Sequence, residues 1–219
     1  MKKVMVVGYN GKTGSVVFEE LAKAGFVVVG KGRNDDFLNP EEIEVVVDFG
    51  GAESSVFSAG WCMKNKIPLV IGSTGQTTEQ MQVIQSASDC VPVIMAGNFS
   101  MGIWFIKKML ETFKCLGVDD VCIFEKHHKN KKDSPSGTSL ELEKKIIEAL
   151  KVKPQVLSMR GGCEIGTHTV SLYFGDECIE ICHKAFSRVA FARGVVFAVA
   201  KIKSISCCGL YSFEDIKNI

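Results

Sequence analysis

The chain has no long hydrophobic run and almost no excess of charge of either sign. No stretch approaches the ~18 consecutive apolar residues of a membrane-spanning helix, so we expect no membrane association. The 26 basic and 25 acidic side chains give a formal net charge of +1, so no overall positive field attracts nucleic acid. With 46% hydrophobic residues among 219, the chain can bury the core of one large domain or two small ones.

Cysteine is frequent, but it lacks the spacing of a disulfide framework or a zinc site. The nine cysteines are odd in number and none lies in a C-x-x-C pair. Cys178 and Cys182, four residues apart, could indicate a metal site, but their stretch is typical of a strand with thiols on one face. We expect reduced thiols, no metal and a cytoplasmic protein. The N-terminal MKKVMVVGYNG has too short an apolar run for a signal peptide and is predicted as a first strand.

Short apolar runs alternate with helical stretches over the first hundred residues. The helical stretches cover residues 14–24, 53–65 and 77–88, and Thr77 with Gln80 predicts a capping box at the start of the third. The apolar runs are KVMVV, FVVVG, EVVVDFG, IPLVIGSTG and VPVIMAG. This alternation is typical of βαβ units and predicts a parallel sheet.

The pattern changes after residue 100. Helices are predicted at 102–115, 138–150 and 190–203, and DDVCIFEKHH reads as a strand that ends in a basic turn. The segments THTVSLYF and ECIEICHKAFSR alternate apolar and polar residues around Gly175-Asp176, which predicts an antiparallel hairpin. The tail GLYSFEDIKNI closes the chain without a predicted element.

These patterns together predict an α/β protein with two domains. The first, residues 1–99 and 192–219, is a Rossmann-type dinucleotide-binding domain with a parallel sheet. The second, residues 100–191, is an α+β domain with a mixed, partly antiparallel sheet.

The stretch VVGYNGKTGS has two interpretations. A P-loop needs four residues between its first glycine and Gly-Lys-Thr, and Val6 stands where that glycine is required. Gly8, Gly11 and Gly14 follow a strand and precede a helix, which favours a dinucleotide-binding turn. Their spacing is G-x-x-G-x-x-G rather than G-x-G-x-x-G, so an ordinary strand-to-helix connection remains an alternative.

The end of the second predicted strand bears on cofactor choice. An acidic residue that binds the adenosine ribose is expected there, but the sequence has Lys31, Gly32 and Arg33. A basic pair suits a 2′-phosphate better than a free ribose. We therefore expect NADPH to be the preferred cofactor, with NADH possible.

Histidines, lysines and a helix start come together in EKHHKNKKDSPSGTS. His127 and His128 can exchange protons near neutral pH, and the free amides near 136–138 can bind a carboxylate or phosphate. Thr138 with Glu141 predicts a capping box for the helix that follows. A solvated basic loop is the alternative, but the combination indicates a substrate that carries carboxylates.

This stretch resembles the double-histidine signature of the dihydrodipicolinate reductase family. Further segments resemble that family in the same order along nearly the whole chain: VVGYNGKTGS, VVDFG, IGSTG, AGNFSMGI, RGGCEIGTHTV and EICHKAFSRVAFARGVVFA. The resemblance implies an oxidoreductase of lysine and diaminopimelate biosynthesis. It would reduce a cyclic dicarboxylate, 4-hydroxy-tetrahydrodipicolinate, to tetrahydrodipicolinate with NAD(P)H.

The resemblance also implies roles for individual residues. His127 would be the general acid and Lys131 the other catalytic residue, while His128, Gly137 and Thr138 would bind substrate. It implies a second domain that binds substrate and assembles a homotetramer through its sheet. The implied cofactor positions, with Arg33 added from the basic pair, are Gly8, Tyr9, Asn10, Gly11, Lys12, Thr13, Gly72, Ser73, Thr74, Ala96, Gly97, Asn98 and Phe99.

Two other functions remain open at this point: reduction of another amino-acid-derived imine, and NADPH sensing without catalysis. His168 and His183, on the predicted hairpin, are expected to be structural or to support the site. Four positions depart from the usual family residue and bear on the cofactor pocket: Ser73 for threonine, Gly97 for proline, Trp104 for asparagine and Val195 for alanine.

Overall fold

The computed structural model describes residues 3–217, which divide into two units. The first unit comprises the chain up to Phe99 and from Phe191 onward, and the second comprises Ser100–Ala190. Each unit has its own sheet.

A six-stranded, fully parallel sheet forms the first unit. Its strands, in chain order, are β1 (Lys3–Val7), β2 (Val28–Lys31), β3 (Ile43–Asp48), β4 (Leu69–Ile71), β5 (Pro92–Met95) and β10 (Gly209–Tyr211). The order across the sheet is β10-β5-β4-β3-β1-β2. The helices are α1 (Gly14–Lys23), α2 (Ala52–Asn65), α3 (Thr78–Ser88) and α6 (Val189–Ile202).

The inner strands of this sheet are buried on both faces, which explains their continuous apolar runs. Every residue of β4 is buried, and in β3 only Glu44 is partly exposed. The predicted capping box of α3 is confirmed, because Thr77 Oγ1 accepts from the Gln80 amide (3.3 Å) and Gln80 Oε1 accepts from the Thr77 amide (2.9 Å). The parallel pairing of all six strands confirms the predicted Rossmann-type sheet.

A four-stranded mixed sheet with two helices forms the second unit. The strands are β6 (Asp120–His127), β7 (Gln155–Arg160), β8 (Gly166–Phe174) and β9 (Glu177–Ala185), and the helices are α4 (Met101–Thr112) and α5 (Gly137–Leu150). The order is β7-β6-β8-β9, with β6 and β7 parallel and the other pairs antiparallel. This confirms the predicted mixed sheet and the hairpin at Gly175, whose φ is +55°.

The two faces of this second sheet differ. The inner face carries Val121, Ile123, Val170 and Leu172, which pack with residues of α4 and α5 in one core. The opposite face carries exposed large side chains and is called the open sheet face here; it is defined by Phe124, Leu157, Met159 and Tyr173.

Three details differ from the sequence expectations. Strands β7 and β10 were not predicted, since one mixes polar and apolar residues and the other has three residues. The expected Thr138–Glu141 capping box is wrong. Because α5 begins at Gly137, Ser136 is the N-cap and its hydroxyl accepts from the Ser139 amide (3.3 Å). Thr138 lies buried in the first turn.

The contact between α6 and Phe99 gives a matched test of the fold. A Cβ added at Gly194 would lie 1.7 Å from the Phe99 carbonyl oxygen, whereas one added at Gly60 in α2 meets nothing within 4 Å. We expect Gly194→Ala to lower the unfolding free energy by about 1–3 kcal/mol through overpacking. Gly60→Ala should raise it by about 0.5–1 kcal/mol. Urea denaturation measures both, and a Gly194→Ala protein as stable as Gly60→Ala would contradict this close approach.

Candidate active site

A cleft lies at the carboxyl ends of the first unit's strands. Strand β1 has β2 on one side and β3 on the other. The chain runs from β1 out to β2 and then crosses back to β3, so the direction of the connections reverses beside β1. Open α/β sheets bind ligands at such a switch point. The cleft has a volume of about 720 Å³, and Gly8, Asn10, Gly11 and Arg33 are among its lining residues.

The glycines of the turn after β1 have steric causes. Gly8 has φ +76°, and a Cβ there would lie 2.8 Å from backbone atoms of Gly50, at the end of β3. A Cβ at Gly14 would lie 2.1 Å from the Gly8 carbonyl oxygen. Thr13 precedes α1 and, within the described chain, makes no side-chain hydrogen bond to the first turn. The helix start can therefore receive an anion.

The two basic residues, Lys31 at the end of β2 and Arg33 after it, lie in different environments. Lys31 is buried, its ammonium donates to the Gly32 carbonyl (3.2 Å), and it lies 4.8 Å from the centre of the Phe37 ring. Arg33 is exposed and lines the cleft. The expectation that no acid follows β2 needs correction, because Asp35 and Asp36 also line the cleft. They were missed because they come after a turn, in which Asp35 accepts from the Gly32 amide (2.7 Å).

Asp48 connects the end of β3 to two neighbouring segments. It is fully buried and accepts from the hydroxyls of Ser54 (2.7 Å), Ser58 (2.5 Å) and Ser73 (3.0 Å). The first two belong to α2 and the third to the loop after β4. The sequence did not predict this network. Through it, the hydroxyl of Ser73, a predicted cofactor-binding residue, is hydrogen-bonded to Asp48.

The other predicted cofactor residues lie around the cleft rather than in its lining. Tyr9, Lys12 and Thr13 belong to the turn that also carries Gly8 and Gly11. The remaining residues follow β4 and β5 at the same edge of the sheet: Gly72, Ser73, Thr74, Ala96, Gly97, Asn98 and Phe99.

In the second unit, the carboxylate of Glu125 organises a buried cluster. Alternation along β6 places Glu125 and His127 on the inner face. Glu125 is fully buried; its Oε1 accepts from Arg160 Nη2 (2.6 Å) and from the Ser136 amide (3.3 Å). Its Oε2 is hydrogen-bonded to His127 Nδ1.

The charge states in this cluster follow from burial and contact. Burial raises the pKa of Glu125, but hydrogen bonds from Arg160 and Ser158 and the contact with His127 outweigh it and lower this pKa to about 2. Burial lowers the pKa of His127, and Glu125 opposes that shift. Burial also lowers the pKa of His168 to about 3. At neutral pH, Glu125 is therefore ionised and His168 is neutral.

The His127 ring is buried, and its Nε2 lies beside Gly166. A Cβ added at Gly166 would lie 3.0 Å from His127 Nε2, so a larger residue there would crowd this nitrogen. The ring of His168 lies 5.1 Å away in an edge-on arrangement, and its Nε2 contacts Ser136 Oγ at 3.2 Å. His183, paired with His168 across β8 and β9, contacts the Ser100 hydroxyl at 3.0 Å.

Lys131 is held by a neighbouring carboxylate. Its ammonium lies 2.8 Å from Asp133 Oδ2. Burial raises the pKa of Asp133, but Lys131 and the Gly137 amide lower it overall. The backbone amide of His128 donates to the Glu164 carbonyl (2.7 Å), which fixes the start of the turn.

Sequence reasoning found part of this cluster. The amides near 136–138 were expected to be free, but the Ser136 amide donates to Glu125 and the Gly137 amide interacts with Asp133. Glu125 was missed although strand alternation places it beside His127. Arg160 begins the segment RGGCEIGTHTV that resembles the family, but it was given no role, because its contact with Glu125 depends on the unpredicted strand β7.

Glu125, His127 and His168 also have ligand atoms within 4.8 Å of one another, close enough to hold a metal ion. The Glu125 carboxylate already contacts the Arg160 guanidinium and the His127 ring. We therefore interpret the cluster as a proton-handling site rather than a metal centre.

A Rossmann-type cleft together with a buried histidine cluster defines a pyridine nucleotide-dependent oxidoreductase. The chain belongs to the dihydrodipicolinate reductase family: the family model "Dihydrodipicolinate reductase, N-terminus" matches residues 33–99, and "Dihydrodipicolinate reductase, C-terminus" matches residues 102–216. This confirms the resemblance seen in the sequence.

Individual relatives agree with this assignment. The chain is 35% identical to 4-hydroxy-tetrahydrodipicolinate reductase of Thermosipho africanus, over 96% of this chain and 95% of the relative. It is 31% identical to the enzyme of the same name from Campylobacter lari, over 100% of both chains.

A solved structure shares the fold. Dipicolinate-bound dihydrodipicolinate reductase from Paenisporosarcina sp. TG-14 matches with a TM-score of 0.79 and 20% identity, over 100% of this chain and 99% of the other. None of the helices within residues 3–217 has the length and apolar character needed to cross a membrane.

Proposed function

We propose that this protein reduces 4-hydroxy-tetrahydrodipicolinate to tetrahydrodipicolinate with NAD(P)H, a step of lysine and diaminopimelate biosynthesis. The observation that carries the proposal is the buried Glu125–His127 pair inside the double-histidine stretch. Relatives at 31–35% identity over nearly the whole chain have the name of this activity.

His127 is the general acid in this proposal. A bound reduced nicotinamide supplies hydride to the substrate ring. His127 supplies the proton from Nε2, because Nδ1 is engaged by Glu125. The net reaction adds a hydride and a proton and releases the hydroxyl group as water.

The substrate carboxylates require cations and donors near His127. Lys131, two residues from its Asp133 partner, can exchange that carboxylate for one of the substrate. We assign His128, Gly137 and Thr138, at the turn and the start of α5, to the same task. Lys131 thereby acts as the second catalytic residue, neutralising charge beside the reacting ring.

We assign the cleft of the first unit to the nicotinamide cofactor. The turn from Gly8 to Thr13 would receive the pyrophosphate at the start of α1, and the loops after β4 and β5 would approach the nicotinamide. Exposed Arg33 supports preference for NADPH. Asp35 and Asp36 are acceptors for ribose hydroxyls, so NADH remains a second cofactor.

The nine free cysteines support a cytoplasmic location.

We further propose a homotetramer assembled through the open sheet face. Phe124 and Leu157 are directly paired on it, Met159 lies beside Lys126, and Tyr173 lies opposite Asp120, so large apolar and charged side chains share this face. Exposed large apolar side chains grouped on one sheet face are typical of an interaction site. A second copy presents the same surface, so the face can pair with itself into a dimer, and two such dimers would make the tetramer that the family resemblance implies.

His127→Gln tests the acid role. Since glutamine cannot supply the proton, we expect kcat to fall by about 10²–10⁴-fold with a much smaller change in KM. His128→Gln, assigned to substrate binding, should instead raise KM for the dicarboxylate. Steady-state oxidation of NADPH measures both variants. Near-normal turnover by His127→Gln would refute its role.

Arg33→Ala tests cofactor preference. Removing the guanidinium that faces a 2′-phosphate should lower kcat/KM for NADPH by about tenfold or more, the size of one charge-assisted hydrogen bond, and leave NADH nearly unchanged. Lys12→Ala should weaken both cofactors alike, because both contain the pyrophosphate. A wild-type protein that clearly prefers NADH would overturn the NADPH assignment.

Leu157→Glu tests the assembly. A charge on the open sheet face should dissociate the tetramer, whereas Leu140→Glu, at an exposed position on α5, should leave it intact. Light scattering after size exclusion gives the mass of each. A wild-type monomer, or a tetramer that tolerates Leu157→Glu, would contradict the proposed interface.

A further inference from the structure

We propose that Glu125 is a positioning residue that fixes which nitrogen of His127 carries the transferable proton, and that Arg160 fixes Glu125 in turn. The role of His127 as the acid rests on the function proposed above. The role of Glu125 rests on the geometry of the cluster.

Both carboxylate oxygens of Glu125 accept hydrogen bonds, and together they determine which nitrogen of the His127 ring carries a proton. Oε1 accepts from Arg160 and the Ser136 amide, and Oε2 faces His127 Nδ1. An ionised carboxylate only accepts hydrogen bonds, so Nδ1 must carry a proton in every state of the ring. Proton exchange with a substrate is then confined to Nε2, the ring nitrogen that Glu125 does not contact.

Arg160 holds the carboxylate rigidly because its own guanidinium is anchored by the backbone. Nη1 donates to the Met159 carbonyl (2.9 Å), and Nη2 donates to the Asp133 carbonyl as well as to Glu125 (both 2.6 Å). The anchors come from β7 and from the turn after β6. Glu125 is thus fixed by the neighbouring strand β7 and by the turn that follows its own strand.

The charges around His127 make its protonated form depend on Glu125. Arg160 from β7 and Lys131 from the turn disfavour the imidazolium, and His168 from β8 is neutral near pH 7. Asp133 faces Lys131 rather than the ring. Among residues 3–217, Glu125 is the carboxylate hydrogen-bonded to His127 and the group that opposes these cations.

The first experiment needs no change at Glu125. The chain has four histidines, so a protein labelled with ¹⁵N-histidine gives a spectrum that His127→Gln can assign. We expect the neutral ring of His127 to be the tautomer with hydrogen on Nδ1. A neutral ring with hydrogen on Nε2 would overturn the inference.

The second experiment removes the charge and keeps the shape. In Glu125→Gln, the imidazolium loses its counter-charge, and the single amide oxygen cannot accept both from Nδ1 and from the Arg160 and Ser136 donors. The pKa of His127 should fall by about one unit or more. Because the acid must be protonated, the high-pH limb of kcat should move to lower pH by the same amount. At pH values above that limb, kcat of the variant should be about tenfold lower than that of the wild type for each unit by which the pKa falls.

A matched control separates the effect of Glu125→Gln on His127 from a general effect of losing one negative charge. Glu148→Gln removes an exposed carboxylate on α5 that pairs with Lys144, and it should move neither the NMR titration of His127 nor the limb. An effect of Glu125→Gln on stability alone, with an unchanged pKa and limb, would overturn the inference. If Glu125→Gln fails to fold, the wild-type tautomer decides the question.

Failure of the proposed function would look different. A wild-type protein that shows the Nδ1–H tautomer but does not oxidise NADPH with 4-hydroxy-tetrahydrodipicolinate would defeat the proposed reaction and leave the positioning role standing. Normal turnover with hydrogen on Nε2 would defeat the positioning role and leave the reaction standing.

Discussion

A charged carboxylate in a protein interior is tolerated only when partners neutralise it where it lies. Glu125 has such partners from three segments: the ring of His127 on its own strand, the guanidinium of Arg160 on β7, and the Ser136 amide at the start of α5. These bonds require β7 to lie beside β6 and α5 to begin at its observed position. The geometry of the histidine cluster is therefore tied to the fold of the second unit.

The main constraint in the first unit is a different one: backbone segments must approach one another closely around the cleft. Gly8 allows the ends of β1 and β3 to approach each other, and Gly14 allows α1 to begin against the turn. Asp48 then joins the end of β3 to α2 and to the loop after β4 through three serine hydroxyls. The lining of the cleft combines these glycines with charged side chains, among them Arg33, Asp35 and Asp36.

Periodicity and turn chemistry were enough to predict most of the architecture. Apolar β-branched runs identified the parallel strands, alternation identified the hairpin of β8 and β9, and Thr77 with Gln80 identified a helix start. Features that depend on contacts between distant residues could not be predicted. Strand β10 has three residues and exists because it pairs with β5, and Arg160 reaches Glu125 only because β7 joins β6. His127 was found from residue type, but its charged partner required the register of the sheet.

The reaction proposed for this chain is hydride transfer from reduced nicotinamide to a cyclic dicarboxylate. The most direct test supplies 4-hydroxy-tetrahydrodipicolinate and NADPH deuterated at the transferring position, and follows NADPH absorbance together with the mass of the product. We predict NADPH oxidation that depends on substrate, with one deuterium in tetrahydrodipicolinate. Binding of NADPH without oxidation would indicate a sensor, and oxidation only with simpler imines would indicate another substrate. Either result would contradict the proposed reaction.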